Sequence, residues 1–141
     1  MTRQLGLSVL EKALYTRLTT NSNTSSYRVY TYVPSSAKFP YIRIGDYIGI
    51  PSPSFNNRDC PNEDNVAVIH AWSEKPQNKE ALDMMNAVIQ AIEASSLSIT
   101  GYSSPFLAIM EYSDMLIDDL DPNNIKRHGV IRYRFSMGSS S

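Results

Sequence analysis

The segment Tyr41–Ile50 reads YIRIGDYIGI, and the alternation of its side chains decides the fold. Successive side chains of a β-strand point to opposite faces, so residues two apart share a face. The isoleucines at positions 42, 44, 48 and 50 share one face, and the other face takes Tyr41, Arg43, Gly45, Tyr47 and Gly49. We therefore predict a long strand that is buried on its isoleucine face and open on its tyrosine and arginine face.

A helix and a strand are predicted before this segment. Leucines at positions 7, 10, 14 and 18 recur at three- and four-residue intervals, which predicts an amphipathic helix ending before Thr19. The polar run Asn21–Ser26 favours a turn. Because Tyr27–Val33 is rich in β-branched and aromatic residues and is followed by Pro34, it predicts a strand that ends at the proline.

A long loop, three strands and a second helix are predicted after it. The stretch Pro51–Asp64 has no period and predicts an extended loop. The later elements are a strand at 65–72, a helix at 78–92 with Asn78 as its N-cap, and strands at 106–117 and 126–137. Asp121–Asn124 places a proline where a type I turn favours it, so the last two strands should form a hairpin.

This order of elements predicts an α+β fold. Its expected form is a two-layer arrangement, with a mostly antiparallel sheet of about five strands and two helices packed on one face. A chain of 141 residues suits one hydrophobic core, so we expect a single domain over residues 1–137. The closing Gly138–Ser141 is expected to be a flexible tail.

Composition argues against several classes of protein. The formal net charge is -1 and the basic residues are scattered, so the phosphate-binding stripe of a nucleic-acid-binding protein is missing. The apolar runs are short and the N-terminus is polar, so we expect neither a membrane span nor a signal peptide, and a protein that stays in the cytosol. With Cys60 as the single cysteine, an internal disulfide is impossible.

The sequence motifs of common catalytic and cofactor sites are missing. There is no G-x-S-x-G elbow, no phosphate-binding G-x-x-x-x-G-K-[ST] loop and no G-x-G-x-x-G turn. Two histidines, His70 and His128, are too few for a histidine-rich metal site, and we expect no cofactor. A small hydrolase or transferase that uses His70 or His128 with nearby carboxylates stays open as an alternative.

Tyrosines and arginines on the open face of the predicted sheet indicate an interface, because both residue types are enriched at interface hot spots. The candidate interface residues are Tyr41, Arg43, Tyr47, Phe55, Arg58, Arg132 and Arg134. Arg132 and Arg134 join this face if the strand registers match, whereas Phe55 and Arg58 belong to the long loop. The alternative interpretation is a solvent-exposed face with cross-strand tyrosine pairs.

Several short segments, in this order and spacing, resemble the siphophage tail-completion family, also called tail-to-head joining proteins and related in role to tail terminators. The resemblance covers most of the chain. The matching segments are Ala13–Leu18, Arg28–Tyr30 with Val33–Pro34, Phe39–Gly45, His70–Ser73 and Arg127–Arg134. The proline-rich loop Pro51–Asp64 departs from the more charged connection of this family.

The resemblance implies a two-layer α+β subunit of the virion tail, with no active site and no cofactor. It implies a homo-oligomeric ring, a hexamer, that caps the finished tail tube and docks it onto the head connector. The implied partners are copies of the chain, the tail tube protein and the head connector protein, and assembly would take place in the host cytoplasm. A tail terminator proper and an assembly chaperone are the alternatives within tail morphogenesis.

Overall fold

The computed structural model describes residues 7–51, 62–75, 77–95, 97, 102–118 and 126–139. Within these residues the chain forms two helices and five strands, in the order that the sequence predicts. The elements are α1 (Leu7–Thr20), β1 (Arg28–Tyr30), β2 (Tyr41–Pro51), β3 (Asn62–Ser73), α2 (Lys79–Glu93), β4 (Tyr102–Asp118) and β5 (Lys126–Ser139).

The strands form one mixed sheet with the order β1-β2-β3-β5-β4. β1 runs parallel to β2, and every other neighbouring pair is antiparallel, so the predicted mostly antiparallel α+β fold is confirmed. β4 and β5 form the predicted hairpin, which closes with Asp118 opposite Lys126. The predicted turn at Asp121–Asn124 lies outside the described residues.

Both helices cover the same face of the sheet, as predicted. The buried residues of α1 are Leu10, Leu14 and Leu18, three of the four leucines of the predicted stripe, while Leu7 is partly exposed. The buried residues of α2 also recur at three- and four-residue intervals. The largest fully buried side chains of the sheet are Ile42, Ile44, Ile69, Ile131, Tyr133 and Phe135. These side chains from β2, β3 and β5 form one cluster with the helix residues. Removal of this apolar surface from water is the main force that holds the two layers together.

A polar contact joins the two helices at the C-terminal end of α2. Nη1 of Arg17, in α1, donates hydrogen bonds to the carbonyl oxygens of Ala91 at 2.9 Å and Ser95 at 3.0 Å. The last carbonyls of a helix have no hydrogen-bond donor within the helix and carry partial negative charge. A guanidinium both donates hydrogen bonds to these carbonyls and offsets their charge. Arg17 therefore fixes the C-terminus of α2 against α1.

A β-bulge in β2 makes one sequence prediction wrong. Asp46 is an extra residue with a positive φ of 57°, and the pairing with β3 shifts between Gly45 and Tyr47. One extra residue moves every later side chain of the strand to the opposite face. Tyr47 therefore packs against the core below the helices, and Ile48 is exposed, the reverse of the prediction.

Several predicted element boundaries also need correction. β1 covers only Arg28–Tyr30 instead of Tyr27–Val33. Because β1 and β2 are parallel, the residues between them must carry the chain back to the end of the sheet where β1 began, and they leave the strand after Tyr30. The β2 and β3 ladder extends into the predicted loop Pro51–Asp64, as Pro51 pairs with Glu63. β4 begins at Tyr102, ahead of the predicted Phe106.

The three remaining corrections concern the ends of elements. β5 continues through Gly138 and Ser139, which pair with β4, so two residues assigned to a flexible tail belong to the sheet. Asn78 occupies the N-cap position of α2, but its backbone is helical and its side chain makes no capping hydrogen bond. α1 runs on to Thr20, where threonine hydroxyls bond back to carbonyls one turn earlier.

Truncation of the central leucine of α1 tests the proposed core. We expect Leu14→Ala to lower the free energy of unfolding by about 2–5 kcal/mol, because it leaves a cavity in a fully buried site. Tyr15→Ala, at the exposed neighbouring position, should change it by less than about 0.5 kcal/mol. Urea unfolding followed by circular dichroism measures both values, and equal losses would contradict the packing described here.

Candidate functional interface

The face of the sheet opposite the helices, here called the open face, holds four of the predicted interface residues. Tyr41 and Arg43 lie on it in β2, and the register places Arg132 and Arg134 of β5 on the same face. Tyr47 lies on the helix side because of the bulge. Phe55 and Arg58 lie outside the described residues.

Arg132 and Arg134 form a ladder of ion pairs across the open face. The Glu111 carboxylate, at a second bulge in β4, accepts from Arg132 Nε at 3.1 Å and from Arg134 Nη1 at 3.4 Å. Arg134 Nη2 also donates to Asp64 of β3 at 2.8 Å, and these carboxylates raise the pKa of Arg134. Both arginines are thus committed to contacts within the chain that join three strands.

Arg43 differs from these two arginines, since no described residue forms a hydrogen bond or ion pair with it. Its guanidinium lies over the backbone of Gly45, where a Cβ atom would come within 2.9 Å of it. Beside it, rings from neighbouring strands form an aromatic row. Tyr41 and Trp72 have ring centroids 6.5 Å apart, and Trp72 stacks on His128 at 3.8 Å.

His70 and His128 come together on the open face, which the sequence did not predict. His70 Nδ1 lies 2.7 Å from His128 Nε2, and His70 Nε2 lies 3.3 Å from the Asp46 carboxylate. One tautomer satisfies both contacts, with His70 donating to Asp46 and His128 donating to His70. The bulge that turns Tyr47 inward also presents Asp46 to this pair.

The environment of His70 favours its neutral form. Burial lowers the pKa of His70 below its ordinary value of 6.5, and the nearby Arg43 guanidinium lowers it further. The Asp46 carboxylate acts in the opposite direction without cancelling the shift. Both ring nitrogens of His70 have hydrogen-bond partners within the chain.

β4 holds more exposed large apolar side chains than any other described element. It is 17 residues long and, in the described part of the chain, pairs with β5 alone, so the backbone groups of its other side have no described strand as a partner. Its exposed large side chains are Ile109, Met110, Tyr112, Leu116 and Ile117. The sequence predicted this strand but not its edge position, which depends on pairings between distant segments.

A groove lies at the opposite end of the sheet, between α1 and β1. It has a volume of about 370 Å³, and its lining includes Lys12, Tyr15, Val29 and Tyr32. Tyr32 is 82% exposed, the highest value among the exposed large hydrophobic residues. The two edges of the sheet therefore both present apolar side chains to solvent.

Two further features bear on possible functions. In the described part of the chain, no three His, Cys, Asp or Glu side chains are grouped so that they could hold a metal ion. None of the helices among these residues has the length and apolar character needed to cross a lipid bilayer.

The element order, the single covered face and the free β4 edge define a class of small two-layer α+β subunits. Within that class, the model of the family "Tail completion protein gp17" matches residues 12–137, nearly the whole chain. The chain belongs to this family of structural proteins of the phage tail. A comparison with curated proteins gives no significant match.

Solved structures support the same fold. One of the 18 matching chains comes from a structure described as "Virion of native gene transfer agent (GTA) particle". It is similar to this chain with a TM-score of 0.73 and 14% sequence identity, over 94% of this chain and 97% of the matched chain. At this level of identity the comparison establishes a shared fold.

Acid titration tests the environment of His70. Because its pKa is lowered in the folded state, the unfolded chain takes up the proton first, so this contribution to stability is complete above pH 6.5 and is lost as the pH falls. We expect the free energy of unfolding to decrease between pH 7.5 and pH 5, and to decrease less in His70→Gln. Equal pH slopes for the two proteins in urea titrations would contradict this assignment.

Proposed function

We propose that this chain is the tail-completion protein that forms a ring, caps the finished tail tube and docks the tail onto the head connector. Membership of the tail-completion family supports a role at this stage of assembly. The fold shared with a chain of a virion particle is consistent with it. The proposed partners are further copies of the chain, the tail tube protein and the head connector protein, and the proposed ring is a hexamer.

The observation that carries this proposal is the uncovered edge of β4. A long edge strand with apolar side chains on both faces is a surface on which other chains add, and proteins that stay monomeric usually block such an edge with charge or bulges. β4 has a bulge at Glu111, yet its neighbours Ile109 and Met110 are both more than 40% exposed. Contact with a neighbouring subunit would remove this surface from water.

Ring closure explains how modest contacts of this kind would suffice. Once a subunit is held on one side, its second interface forms as if within one molecule, which raises the effective concentration of the missing partner. A head-to-tail interface closes into a ring when its rotation allows. Each subunit interface can therefore be weak while the complete ring is stable.

Within tail morphogenesis, the composition of purified virions distinguishes an assembly chaperone from a ring protein, and a tail terminator proper stays an alternative. A chaperone would be missing from the particle, whereas a ring protein would be retained. The hydrolase alternative would use His70 or His128, which lie in contact with each other on the open face. We expect His70→Gln and His128→Gln to leave tail joining intact, apart from a loss of stability, in a phage complementation assay.

A charge placed on the β4 edge tests the ring directly. Native mass spectrometry of the chain, alone and with tail tube protein, should detect a closed ring for the wild type. We expect Ile109→Lys to weaken assembly about tenfold or more, because a lysine would have to be desolvated at the interface.

Leu82→Lys on α2 is the matched control, since Leu82 and Ile109 are both 43% exposed. It should assemble like the wild type. A wild-type chain that stays monomeric, or equal assembly of the two lysine variants, would contradict the proposed role of this edge.

A further inference from the structure

The two edges of the sheet are complementary in charge. On its open face β4 carries Asp114, opposite Val130, and its 17 residues include no lysine or arginine. The opposite edge carries exposed Arg28 on the same face, opposite Tyr41 of β2, while Lys12 and Glu11 of α1 lie on the helix side beside the groove. Arg28 forms no hydrogen bond or ion pair with a described residue. An acidic residue and a cation without a described partner thus lie on one face at opposite edges of the sheet.

At both edges, exposed apolar side chains lie on the helix side of the sheet. Met110 lies opposite Tyr133, and Ile117 opposite Arg127, so both side chains are on the helix side of the sheet. They are nevertheless 42% and 55% exposed, because α1 and α2 leave this part of β4 uncovered. At the other end, α1 stands beside β1 and presents Tyr15 toward solvent. If one sheet continued into the next, α1 of the neighbour would reach the layer of Met110 and Ile117.

We propose that the β4 edge of one copy docks against the groove between α1 and β1 of the next copy. This inference rests on the proposed ring and specifies its subunit interface. Because Met110 and Ile117 are separated by about 23 Å of strand, α1 of the neighbour lies along both while Tyr15 of the neighbour packs against one of them. Tyr32 of the neighbour covers the end of the strand. On the open face, Asp114 of β4 faces Arg28 of the neighbour across the contact.

A two-fold pairing of β4 with β4 of a second copy is the main competing arrangement. It would bring Asp114 and its neighbouring acids in one copy toward the same residues in the other, which costs free energy. It would also use the edge up in a closed dimer and leave the α1 and β1 groove empty. β1 has only three paired residues, so in the proposed contact side chains contribute more than strand-to-strand hydrogen bonds.

Cysteine cross-linking within the assembled ring tests this interface. In a Cys60→Ser background, two double variants combine Tyr15→Cys with either Met110→Cys or Ile117→Cys, and native mass spectrometry first measures their assembly. A short thiol-to-thiol cross-linker should then give a ladder of covalent species up to the full ring. The two cysteines of one copy lie at opposite ends of the sheet, so the link can only join different copies.

The controls separate the competing arrangements. Single-cysteine variants, and Ile117→Cys combined with Leu82→Cys, should give no ladder. A covalent dimer from Ile117→Cys alone would overturn the inference in favour of two-fold pairing. Rings that form but give no ladder with either pair would overturn this interface and leave the proposed function standing, whereas a chain that never assembles would overturn both.

The charge contribution has its own measurement. Arg28→Glu should weaken ring formation about tenfold or more at low salt, and Arg28→Lys should leave it nearly unchanged, because only the first change reverses the charge that faces Asp114 of the next copy. Increasing salt should weaken the wild-type ring and should reduce the difference in ring formation between the two variants. Identical assembly of Arg28→Glu and Arg28→Lys at low salt would count against the proposed contact.

Discussion

The burial of two helices against one face of the sheet is the constraint on which the rest of the structure depends. The leucine stripe of α1 and the apolar stripe of α2 remove the inner faces of β2, β3 and β5 from water. The helix layer ends before the outer part of β4, where Met110 and Ile117 are exposed on the helix side. The core that stabilises one subunit therefore leaves a defined apolar surface at its edge.

The open face is held together differently, by polar contacts between strands. Glu111 and Asp64 bind Arg134, and the imidazoles of His70 and His128 link β3 with β5 while Asp46 ties in β2. These contacts satisfy charges that would otherwise be available to a partner. Arg43 is the exception among the arginines predicted for this face, and it lies beside the aromatic row of Tyr41 and Trp72.

The sequence predicted the features that depend on local periodicity. The leucine spacing of α1 identified Leu10, Leu14 and Leu18 as core residues, because a helix repeats its pattern over several turns. The same reasoning was wrong for Tyr47 and Ile48, since one extra residue at Asp46 reverses the alternation. Asp46 is not a glycine, so its positive φ had no clear signal in the sequence.

Features that depend on pairing between distant segments could not be predicted in this way. The contact between His70 and His128 requires the β3 and β5 register, and the edge position of β4 requires the complete strand order. Of the predicted interface residues, the structure brings Tyr41, Arg43, Arg132 and Arg134 to one face, but two of these arginines already have partners within the chain. The uncovered β4 edge, which local patterns did not reveal, became the surface that best supports assembly.

Hydrogen–deuterium exchange of the free chain and of the assembled tail tests most directly whether this edge is where the subunit meets its neighbours. The account predicts that exchange slows in β4 and in the α1 and β1 region on assembly, while the buried amides of β3 change little. Unchanged exchange in β4, with new protection confined to other surfaces of the subunit, would contradict it.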